Sequence, residues 1–179
     1  KGEFIVYFDD DDHSKKDRVS KQLSRLLSYE IQHKTQKVFV YTNRDIKNNN
    51  NNNKKKIMYG IGRSSPEPRG SIVADYLLKV KNDNDNYIWG ESGRGSMFAR
   101  LKLIKELGDF DKSFNRGAEI DLAVRAALKG FCFISVDECL VDYYITKGSH
   151  KTLKKDFDSR IQLIQKHQKY LKKKSLYLS

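Results

Sequence analysis

A chain of 179 residues with 38% hydrophobic and 11% aromatic content can bury a real core, which excludes a disordered tail and leaves little room for two domains. No apolar run approaches the ~20 residues of a membrane span, and Cys132 and Cys139 have neither metal-ligand spacing nor a disulfide framework. The net charge of +12 directs attention to acidic partners. The surplus gathers late, with ten Lys/Arg between Lys147 and Lys174 against Asp156 and Asp158, whereas Asp9–Asp12 is acidic.

In chain order, Phe4–Phe8 is a continuous apolar run and reads as a buried strand that ends at four aspartates. The chain starts with Lys1-Gly2 and enters this strand at once. A missing N-terminus is therefore expected, and with it any leader or anchor, so the compartment (cytoplasmic or membrane-associated) is not readable. A helix follows over about Lys15–His33, with Val19, Leu23, Leu26 and Leu27 as its apolar stripe and Ser14 as its cap. Lys37–Thr42 reads as a second strand. Residues 48–56, an asparagine run closed by three lysines, cannot pack a core and are expected to be a disordered insertion. Ile57–Ile61 is a short strand, and Ile72–Val80 is compatible with either strand or helix. Tyr87–Trp89 reads as a strand before a glycine-rich loop, Gly90–Ser96. Helices are expected over Arg100–Leu107, stopped by Gly108, and over Ala118–Leu128, stopped by Gly130. Phe131–Val136 and Leu140–Ile145 read as two strands. A last helix, Leu153–Lys172, shows Leu153, Phe157, Ile161, Ile164 and Leu171 at helical spacing. Strands alternating with helices imply an α/β layered fold.

Four adjacent carboxylates after a buried strand repel one another. If the strand continues, Asp9 and Asp11 share one side, an arrangement that suits a hard divalent cation. A solvated acidic turn is the plain alternative. Two enzyme classes place D-x-D after an apolar strand. Haloacid-dehalogenase-type phosphatases want Thr or Val where His13 stands, and no downstream acidic motif completes that pattern.

The second class fits better. FIVYFDDDDHSKKDRVSKQ (Phe4–Gln22) resembles the family 2 glycosyltransferase segment in which a hydrophobic strand ends in D-x-D-D before a helix with a central Gln. Gly95-Ser96-Met97-Phe98-Ala99-Arg100, Glu106-Leu107-Gly108-Asp109-Phe110-Asp111, and Gly117 through Ala126 with Gly130 follow in the order of that family's motif series. The resemblance covers about residues 2–150. It implies a partial GT-A fold, an α/β Rossmann-like mixed sheet flanked by helices, with the N-terminal nucleoside-binding βα units absent. Residues 1–150 would form the metal-binding and acceptor-side part, and residues 151–179 a basic amphipathic helix and tail. One motif departs from the family: Ala118-Glu119-Ile120-Asp121 stands for E-D-x-D, so Glu119 takes the place of the usual Asp.

The implied activity is transfer of a sugar from a nucleotide-sugar donor, a UDP-sugar first among them, to a glycan, protein or lipid hydroxyl, with inversion and with Mn²⁺ or Mg²⁺. Asp11 and Asp9 would hold the metal and nucleotide, with Asp12 in support. His150 would be a further metal ligand and Lys147 a diphosphate contact. Glu119 would be the base, with Asp121 orienting the site or pairing with Arg125. Trp89, Arg94 and Ser96 would meet the acceptor. No motif supports nucleic acid as partner, and the basic last helix could touch a membrane surface. The implied missing front makes this chain alone a poor enzyme; a non-catalytic remnant that binds metal or glycan is the competing reading.

Overall fold

Residues 38–47 and 132–144 are rich in β-branched and aromatic side chains on both alternating faces, the pattern of strands covered on both sides. In the computed structural model, which describes residues 2–47, 56–80, 90–145 and 153–174, they form the middle of a mixed six-stranded sheet. The elements are β1 (Phe4–Val6), β2 (His13–Ser14), α1 (Arg18–His33), β3 (Val38–Lys47), β4 (Lys56–Met58), α2 (Ser71–Leu77), β5 (Phe98–Arg100), α3 (Leu101–Glu106), α4 (Ala118–Leu128), β6 (Cys132–Tyr144), α5 (Leu153–Lys166) and α6 (Gln168–Lys173). Strand order is β1-β5-β3-β6-β2, with β4 beside the far end of β3. Only β3 and β6 run parallel; β5 pairs antiparallel with both β1 and β3.

The period of two splits the core between the faces. Val38, Val40, Cys132 and Ile134 point to Leu26 and Tyr29 of α1. Phe39, Tyr41 and Phe133 point the other way, to a larger core that holds α2, α3 and α4 together with Leu163 and Leu171 of the last two helices. Gly62 lets the loop after β4 lie against β6. Its φ is +83°, and a Cβ there would stand 2.0 Å from the Phe133 carbonyl oxygen.

Several expectations change at this stage. The buried side of α1 is Arg18, Gln22, Leu26 and Tyr29, while Val19 and Leu27 are exposed. Ser14 does not cap α1; it pairs in β2, and its hydroxyl accepts from Arg18 Nη1 at 2.8 Å. The two late strands are one, β6, with its register against β3 shifted around Asn43. Ile72–Val80 resolves as helix as far as Leu77 and as a turn beyond it, because Val73 and Ala74 face the small residues of α4. The last helix breaks at His167, and most of its expected stripe faces outward: Leu153 is 89% and Phe157 63% exposed, Leu171 is buried as expected, and Leu163 is buried in place of the rest. Of the expected 48–56 insertion, residues 48–55 lie outside the described residues, as does Tyr87–Trp89, while Lys56 is ordered as the first residue of β4.

Candidate active site

The chain leaves β1 through Tyr7, whose N–H donates to the Met97 carbonyl at 3.4 Å, and then turns. The Asp12 N–H donates to the Asp9 carbonyl at 3.2 Å, so Asp9–Asp12 is a tight turn rather than a continued strand. The expected alternation, with Asp9 and Asp11 on one side, does not hold. The turn brings Asp9 and Asp12 together and exposes Asp10 and Asp11 at its tip. Both converging carboxylates face Gly95: a Cβ there would lie 2.2 Å from Asp9 Oδ2 and 3.6 Å from Asp12 Oδ2. Asp12 Oδ1 accepts the Tyr144 N–H at 3.1 Å, while Oδ2 is buried with no hydrogen-bond partner among the described residues. Burial, followed by the charges of Asp11 and Asp9, pushes the Asp12 carboxyl up. A second carboxylate beside an orphaned buried oxygen is an arrangement that a hard cation relieves. Among the described residues no group of three His, Cys, Asp or Glu side chains gathers around one point. Two carboxylates nevertheless fit Mn²⁺ or Mg²⁺ when phosphate oxygens complete the shell.

Arg18 holds this turn from behind. It is fully buried; Nη2 donates to the Tyr7 carbonyl at 3.0 Å and Nε to Gln22 Oε1 at 3.0 Å. Burial brings its pKa down to about 10 against the pull of Asp9 and Asp12. Gln22 in turn donates to the Ser96 carbonyl at 2.9 Å and the Val40 carbonyl at 3.2 Å, which ties α1, the glycine-rich loop and β3 together. The motif match singled out Gln22. Nothing in the sequence singled out Arg18, because a lone arginine at a helix start is usually solvated.

Asp9 and Glu119 line the same pocket, a cavity of about 640 Å³ between the aspartate turn, the glycine-rich loop and the N-terminus of α4. Arg94 lines it too and pairs with Asp9 at 3.1 Å. Ser92 reaches the pocket. Ser96 does not: it is buried, and its hydroxyl donates to the Gly93 carbonyl at 3.0 Å, bracing the loop. Arg44, which drew no notice in the sequence, lies buried in the wall between Glu91 (2.8 Å) and the Tyr143 ring. The Tyr41 hydroxyl is raised by burial and then by the Glu119 charge.

Asp121, two residues further along α4, points away from the pocket. It is fully buried; Oδ1 meets His167 Nε2 at 2.9 Å, and Oδ2 takes Arg125 Nε and Lys166 Nζ, each at 2.9 Å. The pairing with Arg125 follows from helix spacing, but the grips from α5 and α6 could not be read in advance. Burial alone would raise the Asp121 carboxyl; the bonds from His167, Lys166 and Arg125 outweigh it and hold the group below its ordinary value. Trp89, Lys147 and His150 lie outside the described residues.

No family model matches the chain, and no curated protein matches it. Its fold is similar to that of S. aureus TarS 1–349. Against the structure with UDP-GlcNAc the TM-score is 0.55 at 15% identity, over 92% of this chain and 42% of that one; against the structure with UDP it is 0.52 at 14% identity, over 92% and 40%. The chain thus spans about two fifths of the TarS 1–349 chain it resembles. At such identity the likeness shows the fold alone, a mixed α/β sheet flanked by helices.

Proposed function

We propose that the chain carries the diphosphate- and acceptor-side part of an inverting, metal-dependent glycosyltransferase of the family 2 type, acting on a UDP-sugar donor and a hydroxyl acceptor. The observation that carries the reading is the sharing of one pocket by Asp9 and Glu119, a metal-type carboxylate and a candidate base. The fold likeness to a chain solved with UDP-GlcNAc supports the donor class.

In this reading Asp9 and Asp12 hold Mn²⁺ or Mg²⁺, with Asp11 at the tip of the turn as a further oxygen donor. When bound, the ion neutralises charge on the departing nucleoside diphosphate. Arg94, paired with Asp9, holds that carboxylate in place. Glu119 sits in the first turn of α4 and takes the proton of the acceptor hydroxyl as that oxygen attacks the anomeric carbon. Asp121 works as a positioning residue: it fixes α4 against α5 and α6 and does not touch substrate.

The test combines binding and turnover. Glu119→Gln should retain Mn²⁺-dependent UDP affinity yet lose about two orders of magnitude in transfer by the natural full-length protein, the usual scale for a general base. Near-normal transfer by Glu119→Gln, beside a crippled but folded Asp121→Asn, would reassign the base. The anomeric configuration of the product, read by NMR, tests inversion.

A further inference from the structure

The charges around the pocket do not cancel. Arg94 is matched by Asp9, Arg44 by Glu91 at 2.8 Å, and Arg116 by Asp156 at 2.7 Å. Two more cations line the same cavity, Lys79 beyond α2 and Arg160 on α5, and neither meets a carboxylate among the described residues. Lys79 lies over the Tyr76 ring, 4.9 Å from its centre, which holds the ammonium in place without neutralising it. Among the described residues, Glu119 is the anion in the lining that meets no cation. A second cavity, of about 610 Å³, shares Asn115 and Arg116 with the first and continues past Lys155, Asp158, Ser159 and Gln162 along α5, so its lining carries one carboxylate beside two cations. The two shared residues stand just before Glu119 in the chain.

We infer that the acceptor is an anionic carbohydrate chain, recognised by Lys79 and Arg160 beside Glu119 and by the groove that continues past Arg116 along α5. The inference rests on the transferase reading and adds the acceptor class to it. The donor diphosphate belongs with the cation held at Asp9 and Asp12, so the charge on α5 is left for the other substrate. Polar side chains such as Ser159 and Gln162 between the cations suit sugar hydroxyls spaced between anionic groups. Guanidinium and ammonium groups near the surface of an open groove contribute modestly one at a time, but they select strongly against uncharged chains when several act together.

The experiment measures binding by the chain at low salt of trigalacturonate and tripolyphosphate, which separate carboxylate from phosphate, with neutral maltotriose, a short oligothymidylate, and UDP with Mn²⁺ alongside. The Lys79→Gln/Arg160→Gln variant should bind whichever anionic probe is preferred about tenfold more weakly, while UDP affinity stays within about twofold. The Lys172→Gln/Lys173→Gln/Lys174→Gln variant, which removes more charge elsewhere, should leave both unchanged. The inference is overturned if maltotriose binds as well as trigalacturonate and tripolyphosphate, if the tail variant reproduces the loss, or if UDP affinity falls in parallel. Tighter oligothymidylate binding through the same two residues would overturn it in favour of nucleic acid. A chain with no Mn²⁺-dependent UDP binding would instead count against the transferase reading, while preference for an anionic probe through Lys79 and Arg160 would stand as a separate measurement.

Discussion

At the scale of single residues, the site depends on two small or hidden groups. Gly95 is one, since only hydrogen fits between it and Asp9 Oδ2. In Gly95→Ala the methyl must push the Asp9 carboxylate aside, which costs little stability because that group can rotate away. The expected outcome is loss of most Mn²⁺ affinity in a calorimetric titration with a nearly unchanged unfolding midpoint. Gln22 is the other. Fully buried, it satisfies two backbone carbonyls and receives Arg18, so Gln22→Leu strands three polar groups at once. A loss of about 2–4 kcal/mol in urea unfolding is expected, from the cost of buried groups left unpaired. A loss below about 0.5 kcal/mol, the range of ordinary surface changes, would show that water replaces the amide.

At the scale of elements, α4 is held from its C-terminal side by α5 and α6 through one carboxylate. Asp121→Asn keeps the shape but leaves Lys166 and His167 facing a weak acceptor, and should cost about 3 kcal/mol, the scale for breaking a buried ion pair. Because the folded carboxyl is held below its ordinary value, its contribution is complete above the unfolded pKa of about 4 and is lost as pH falls through the folded one. Wild-type stability should therefore drop below about pH 4 more steeply than that of Asp121→Asn, as followed by circular dichroism in acid titrations. Parallel acid profiles would remove Asp121 from that role. The same grip explains why the apolar spacing of α5 misleads. Lys166 and His167 must reach Asp121, Gln162 must reach Ser113, and Arg116 takes Asp156, which together set the rotation of α5 and turn Leu153 and Phe157 outward.

At the scale of the whole molecule, that outward face is an apolar strip on a strongly basic protein. Phe157→Glu should reduce self-association in sedimentation experiments and leave the melting temperature unchanged, because an exposed side chain contributes within about 0.5 kcal/mol. A fall of several degrees would mean that Phe157 is packed.

The sequence by itself determined what depends on neighbours in the chain. Local signals sufficed for the helical run Ala118–Leu128 of α4, closed by Gly130, and for the core strands, marked by runs of β-branched and aromatic residues. The motif series sufficed to imply the glycosyltransferase-type fold, and it pointed to Glu119 and Asp9, which the fold brings to one pocket. Tertiary structure decided which aspartates converge, because a turn closed by Asp12 onto Asp9 cancels the alternation of a strand. It also decided that Arg18 is buried, that Ser96 braces a loop, and that Asp121 is gripped from residues more than forty positions away. Periodicity and capping follow from interactions within a few residues. The direction of a side chain at a crossing of elements is fixed by partners that sequence spacing does not bring near, and only the folded chain places them.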